Sequence, residues 1–202
     1  MTAKYFAYGS NLDLLQMKRR CPLSKLISKG MLPDYRLTFN RYAPGWGGGV
    51  ADVIQDVDSE VWGLIFEISD SDLERLDHYE GCYKDQTSLY ERWKTVIDTP
   101  NGQVDDVWVY TVVEKQKFVQ PTLEYLHIIK DAAVRWDFPK NYLQSLEKFQ
   151  NLIDELREAV YGPHACINPK CKGELEHYKK NREFYRKMKK LQERRKEELE
   201  NA

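Results

Sequence analysis

Two short stretches carry residues whose types and spacing could do chemistry. In the first, "YFAYGSN" at residues 5–11, an apolar, aromatic run stops at Gly9, Ser10 and Asn11, and an amphipathic stretch follows at once. Gly9 can take φ > 0 and let a ligand come close. Asn11 or Ser10 can cap the helix that follows. With the positive end of a helix behind it, such a turn suits a carboxylate, a phosphate or a developing oxyanion. An ordinary capped turn has the same letters. In the second stretch, "LDHYEGCYKDQTSLYER", Glu80 ends a helical pattern just before Gly81. A helix C-terminus carries partial negative charge, so a carboxylate there is poorly placed for stability. Tyr79, Tyr83 and Tyr90 stand near it in sequence. Apolar surroundings and the dipole would raise its pKa toward that of a useful acid–base group. The plainer reading is an exposed, solvated glutamate.

The elements that must position these residues follow from pattern. "AKYFAY" suits a buried strand. Leu14, Leu15 and Met17 beside Lys18, Arg19 and Arg20 suit a short helix with cations near its C-terminal end. Residues 25–39 read as two strands about a turn at Pro33-Asp34. "YAPGWGGGVADVIQ" reads as a flexible glycine-rich loop near a pocket, running into a strand; it lacks GxGxxG or GxxxxGK[ST], so it is no phosphate loop. Residues 60–69 predict a strand, and 69–81 a helix with Ser/Asp caps and a stop at Gly81. Strands at about 88–98 and 104–113 are joined by an Asn-Gly turn. Helices follow from Pro121 to about Trp136 and from Pro139 to about Val160. Strands early and helices late predict an α+β fold with a mixed, barrel-like sheet and flanking helices.

The chain has 202 residues, one ordinary domain plus room for an extension. Its net charge of −1 gives no argument for nucleic acid or a membrane surface. No apolar run reaches the roughly 18–20 residues that span a bilayer, and the N-terminus goes straight into a strand. The reading is a soluble, cytoplasmic protein. Its four cysteines, Cys21, Cys82, Cys166 and Cys171, then read as free thiols rather than a disulfide framework.

The two stretches together, with "EVWGLIFEI" between them and a Tyr-x-Arg after "LDHYEG", resemble the gamma-glutamylcyclotransferase (AIG2-like) family. "QMKRRCP", "KLISKGMLPDYRLTF" and the helices of "QPTLEYLHIIKDAA" and "FPKNYLQSLEKF" extend the resemblance over about residues 4–149. It implies an enzyme that cyclises a gamma-glutamyl amino acid or amine. The substrate's own α-amine attacks its γ-carbonyl, giving 5-oxoproline and the released amine without metal or cofactor. Tyr8, Gly9, Ser10 and Asn11 then line the glutamyl pocket, and Glu80 falls on the acid–base residue. Tyr125, in a Pro-Thr-x-x-Tyr pattern, falls on a substrate contact, and Tyr90 and Tyr110 on pocket tyrosines. The turn holds either the oxyanion or the substrate's α-carboxylate. "CYKDQTSL" lacks the second glycine of many members, a departure on the leaving-group side. YGSN rather than YGSL points away from glutathione. The competing reading is a non-catalytic binding module acting through its basic C-terminal helix; the presence of Glu80 favours the enzyme.

Residues 1–150 are thus the expected catalytic domain and 151–202 a charged, helical C-terminal extension. In that extension, His164, Cys166, Cys171 and His177 offer four zinc-type donors, though not at the common C-x2-C spacing; a disulfide or two inert thiols is the plainer reading. Phe184, Met188 and Leu191 form a narrow apolar stripe suited to the enzyme domain or a dimer partner. RNA binding through "KKNREFYRKMKK" is the sharper alternative.

Overall fold

Two long strands make the frame. β2 (Lys25–Ala43) and β3 (Gly48–Ser69) pair antiparallel through a turn of only Pro44–Gly47. The structure, a computed structural model, describes residues 2–83 and 88–161, with side chains as far as 156. The two strands curl because their register slips at Leu26/Ser28, Pro33/Tyr35 and Phe39/Arg41; each irregularity bends and twists the pair. The expected turn at Pro33-Asp34 is one of these bulges. Asp34 takes φ 59 there, and its Oδ1 accepts from the Asp58 amide at 3.1 Å. Aspartate tolerates that left-handed backbone, so the strand continues where Pro and Asp suggested a reversal.

β1 (Thr2–Ala7), β4 (Tyr90–Thr99) and β5 (Gly102–Val112) complete a closed barrel in the order β1-β3-β2-β4-β5. The β1–β5 seam is parallel, with Lys4 opposite Val107 and Tyr5 opposite Trp108; the other pairings are antiparallel. Closure leaves no bare sheet edge. Phe6, Phe39, Leu32, Leu64, Ile65 and Ile97 are among its buried side chains. The α+β barrel with flanking helices is therefore the fold.

The helices set the site. α1 (Leu14–Arg20) is capped by Asp13, whose side chain accepts from the Leu15 amide. The expected cap at Ser10 or Asn11 is displaced because Ser10–Leu12 forms its own 3-10 turn first. α2 (Asp70–Glu80) starts at the Ser69 cap and stops at Gly81, whose φ of 64 closes the helix with Cys82 N–H on Asp77 C=O at 2.7 Å. Arg75 of α2 donates to the C-terminal carbonyls of Arg19 and Arg20, which fastens α1 to α2. α3 (Leu123–Arg135) is capped by Thr122 on the Tyr125 amide. It buries Tyr125, Leu126, Ile129, Ala132 and Ala133, an apolar stripe at helical spacing. α4 (Lys140–Tyr161) follows. The chain divides into two compact units after Glu147.

The glycine-rich run is a turn at 44–47, and its last two glycines, Gly48 and Gly49, open β3 and lie against backbone. Gly49 donates to the Gln120 carbonyl at 2.7 Å, and a Cβ on Gly49 would lie 1.9 Å from the Val119 carbonyl oxygen. This close approach seats the segment that leads into α3 and Tyr125. Gly49→Ala is expected to lower stability by about 1–3 kcal/mol, as overpacking does, read as a lower urea midpoint.

Candidate active site

Glu80 sits at the meeting of β1, the 10–12 turn, α1 and α2. Its Oε1 accepts from Arg20 Nη1 at 3.0 Å and from Asn11 Nδ2 at 3.3 Å. The side chain is only 18% exposed, so the exposed-glutamate reading does not hold. Burial pushes its carboxyl above the usual range; the Arg20 charge and the Asn11 hydrogen bond pull against that.

Asn11 is the hub. Its Nδ2 also donates to the Tyr5 hydroxyl at 2.8 Å, while its Oδ1 accepts from Gln16 Nε2 at 3.2 Å and Arg20 Nη1 at 3.0 Å. Two acceptors on one side and two donors on the other fix which way the amide faces. The asparagine that sequence marks as a helix cap is spent on holding the acid.

Tyr125 stands on the other side of the same turn. Its hydroxyl accepts from the Ala51 amide at 3.2 Å, and Ser10 approaches it with both amide and hydroxyl. Burial, with the Glu80 charge adding to it, pushes Tyr125 up to about 12, against those donors. It is therefore neutral near pH 7 and keeps a proton to donate. Trp46 and Phe39 meet its ring edge-on at 4.9 and 6.2 Å. Gly9 is required by proximity. A Cβ there would lie 3.0 Å from the Tyr125 hydroxyl oxygen and 3.2 Å from the Ala51 Cβ. Its φ is −115, so the expected positive φ is not the reason for glycine.

The remaining tyrosines divide. Tyr90 is buried, lies under the Arg41 guanidinium at 6.0 Å, and feels the charge of Glu80 and the Tyr125 hydroxyl. Tyr8 donates to the Tyr110 carbonyl at 2.5 Å. Tyr110 meets the Tyr5 ring edge-on at 5.8 Å, but its hydroxyl is committed to Asp77 at 2.6 Å, which also pairs with Arg92. Tyr79 and Tyr83, adjacent to Glu80 in sequence, are half-exposed. Tyr5 and Arg20 take the places at the acid. By pattern alone Tyr5 belongs to a strand core and Arg20 to the cations at a helix end. The one available signal was Arg20 sitting nine residues beyond Asn11, on the helix the turn begins.

Asp52 is a further buried acid. It is fully enclosed and takes hydrogen bonds from Asn40 Nδ2 and the Val112 amide, with Lys115 at 3.6 Å. These contacts tie β2, β3 and β5 at the end of the barrel nearest Tyr8 and Tyr90, both of which feel its charge. Among the described residues no group of three or more His, Cys, Asp or Glu side chains could hold a metal. His164, Cys166, Cys171 and His177 lie outside the described residues, as do the apolar stripe at 184–191 and the basic segment. Cys21 and Cys82 are free thiols. Among the described residues no helix is long and apolar enough to cross a membrane.

A closed mixed barrel with a buried glutamate against an N-terminal Gly-Ser-Asn turn defines the class. The chain belongs to the gamma-glutamyl cyclotransferase, AIG2-like family, whose model matches residues 5–133. It is similar to the gamma-glutamylcyclotransferases of Bos taurus and Homo sapiens, each 27% identical over 150 residues, which span 72% of this chain and 78% of theirs. Its fold is that of a solved gamma-glutamyl cyclotransferase (TM-score 0.67, 24% identity, 77% of this chain and 99% of that one). YkqA from Bacillus subtilis shares it too (TM-score 0.62, 20% identity, 74% of this chain and 54% of that one).

Proposed function

We propose that this protein is a gamma-glutamylcyclotransferase that converts a gamma-glutamyl amino acid or amine to 5-oxoproline and the free amine. The observation that carries this is Glu80: a buried carboxyl with raised pKa, held by Asn11 and Arg20 against the turn whose other side meets Tyr125. Curated relatives of the same family bear that activity in their names.

The chemistry follows from what such a site can do. Nucleophile and electrophile belong to one molecule, so once the substrate is folded, ring closure has little translational entropy to overcome. Glu80 takes a proton from the substrate's α-ammonium. The freed amine attacks the γ-carbonyl carbon, and a tetrahedral oxyanion forms. Glu80 then returns the proton to the leaving nitrogen as its bond to the carbonyl carbon breaks. The carboxylate so regenerated takes the second proton from the ring nitrogen, which leaves neutral lactam and free amine, and gives it up to solvent. Tyr125, neutral and with its oxygen fixed, is a donor for a substrate oxygen, and the Gly9–Asn11 turn forms the adjoining wall. Tyr90 and Tyr8 line the same end of the barrel, and Tyr110 stiffens it through Asp77. The setting in this reading is the cytoplasm, where Cys21 and Cys82 stay reduced.

The test is incubation with a panel of gamma-glutamyl amino acids and amines, followed by assay for 5-oxoproline. Release from at least one is expected; release from none would leave a ligand-binding module. The pH profile of the active substrate is a second check. The base must be ionised to work, and burial raises its pKa. The acid limb of kcat/KM is therefore expected above the ordinary glutamate value of about 4.3, with activity lost as pH falls through it.

We assign the chemistry to residues 1–150 and treat 151–202 as an extension, because every residue invoked above lies before it. A chain ending near Gln150 is expected to release 5-oxoproline with circular dichroism showing a folded domain, although the cut falls within α4. A folded but inactive product would show that the extension belongs to the site.

A further inference from the structure

We propose that Arg20 is a positioning residue for Glu80: with Asn11 it occupies Oε1 and so reserves Oε2 for the proton transfer. The inference rests on the cyclotransferase reading and deepens it. One nitrogen, Arg20 Nη1, donates to Glu80 Oε1 and to Asn11 Oδ1, both at 3.0 Å, while Asn11 Nδ2 donates to the same Oε1 at 3.3 Å. The three groups close a triangle on one oxygen. Among the described residues no hydrogen bond reaches Oε2. A carboxylate has acceptor capacity on both oxygens, so this one-sided arrangement holds the carboxyl group while keeping one lone-pair face for a substrate ammonium.

Arg20 is itself held. It is the last residue of α1, and Arg75 grips its carbonyl at 2.7 Å. The Tyr79 ring lies 5.2 Å from its guanidinium carbon, and its side chain is 19% exposed. The residue is therefore an arm of fixed reach, braced on α2 at two points and ending on the α2 acid.

Its charge has a calculable sense. Among the described residues, Tyr5 and Tyr8 from the β1 side, Cys21 after α1, Tyr90 on β4 and Tyr125 on α3 feel the Glu80 charge. Burial raises the pKa of every one of these, so all are neutral where a glutamate titrates. Arg20 is then the charge that opposes the burial of Glu80. Without it, burial acts against only the Asn11 hydrogen bond, and Glu80 keeps its proton to higher pH. The general base is then ionised only at higher pH than with Arg20 in place.

The experiment uses the full chain, Arg20→Gln and Arg20→Lys, with a gamma-glutamyl amino acid that the wild type turns over. In R20Q the acid limb of kcat/KM is expected to move up by about one pH unit, a fall of roughly tenfold on the limb, with activity recovered as pH rises above the displaced limb. R20K keeps the charge and is expected to keep the limb near its wild-type position. A limb that stays in place while KM rises at every pH would overturn the proposal and make Arg20 a substrate-carboxylate ligand. A lowered melting midpoint with an unmoved limb would overturn it in favour of a structural role. R20M, which keeps the stem against Tyr79, repeats the test if R20Q does not fold. A substrate-free readout separates this proposal from the reaction itself. Carbon NMR of labelled glutamate carboxyls gives the Glu80 midpoint, assigned as the resonance missing in E80Q. A higher midpoint in R20Q supports the proposal even if no substrate is cyclised; an equal midpoint sinks it even if one is.

Discussion

Glu80→Gln is expected to lower kcat on the order of a hundred- to ten-thousand-fold, the range that general acid–base catalysis supplies. The amide keeps the size of the carboxyl, and its oxygen can still accept from Asn11 and Arg20 in the place of Oε1. Its nitrogen cannot accept the ammonium proton. Binding of a glutamyl ligand is therefore expected to survive while turnover does not, and the acid limb attributed to Glu80 disappears. Circular dichroism and a thermal midpoint check that the half-buried Arg20, now without a counter-charge, has not unfolded the α1–α2 contact. A mutant within tenfold of wild type would remove Glu80 from the chemistry.

Gly9→Val carries the second large effect, and it acts through contacts rather than through backbone conformation. The new Cβ would meet the Tyr125 hydroxyl oxygen at 3.0 Å and the Ala51 Cβ at 3.2 Å, before either γ-methyl is placed. Tyr125 must then leave the amides of Ala51 and Ser10, and the turn that carries Asn11 must shift. A cost of about 1–3 kcal/mol in stability is expected from overpacking, together with a loss of roughly a hundredfold or more in kcat/KM, since an ångström of misplacement at a positioned site costs that much. Gly9→Ala is expected to fall between, because only the Cβ intrudes. Titration of a glutamyl ligand with unchanged affinity would show that the turn is not the pocket wall.

What sequence made legible was local. The Glu80-Gly81 pair announces a helix end, because glycine takes the left-handed cap without penalty, and the structure ends α2 there. Pro121 announces α3, which the structure opens at Leu123 with Tyr125 in its first turn. The Asn-Gly signal places the β4–β5 hairpin. What stayed hidden was long-range. The sequence pattern divides β2 and β3 into pieces, because a bulge interrupts alternation in the same way as a turn, and only pairing with a partner strand tells them apart. Arg20 looked like a cation compensating a helix dipole. Its contact with an acid sixty residues on depends on how α1 docks on α2, through Arg75. Tyr5 looked like barrel core, and its ring is; its hydroxyl matters because Asn11 turns back toward it. Tyr79 and Tyr83 misled for the converse reason: neighbours in sequence at the end of a helix point away from each other.

The fate of the acyl carbon tests the cyclotransferase chemistry most directly. Full-length protein would be incubated with its best gamma-glutamyl substrate in heavy-oxygen water, and both products weighed and counted. Intramolecular attack predicts one 5-oxoproline for each amine released, with no solvent oxygen in it. Glutamate carrying heavy oxygen in its γ-carboxyl would mean that water, not the α-amine, is the nucleophile, and would contradict the assignment.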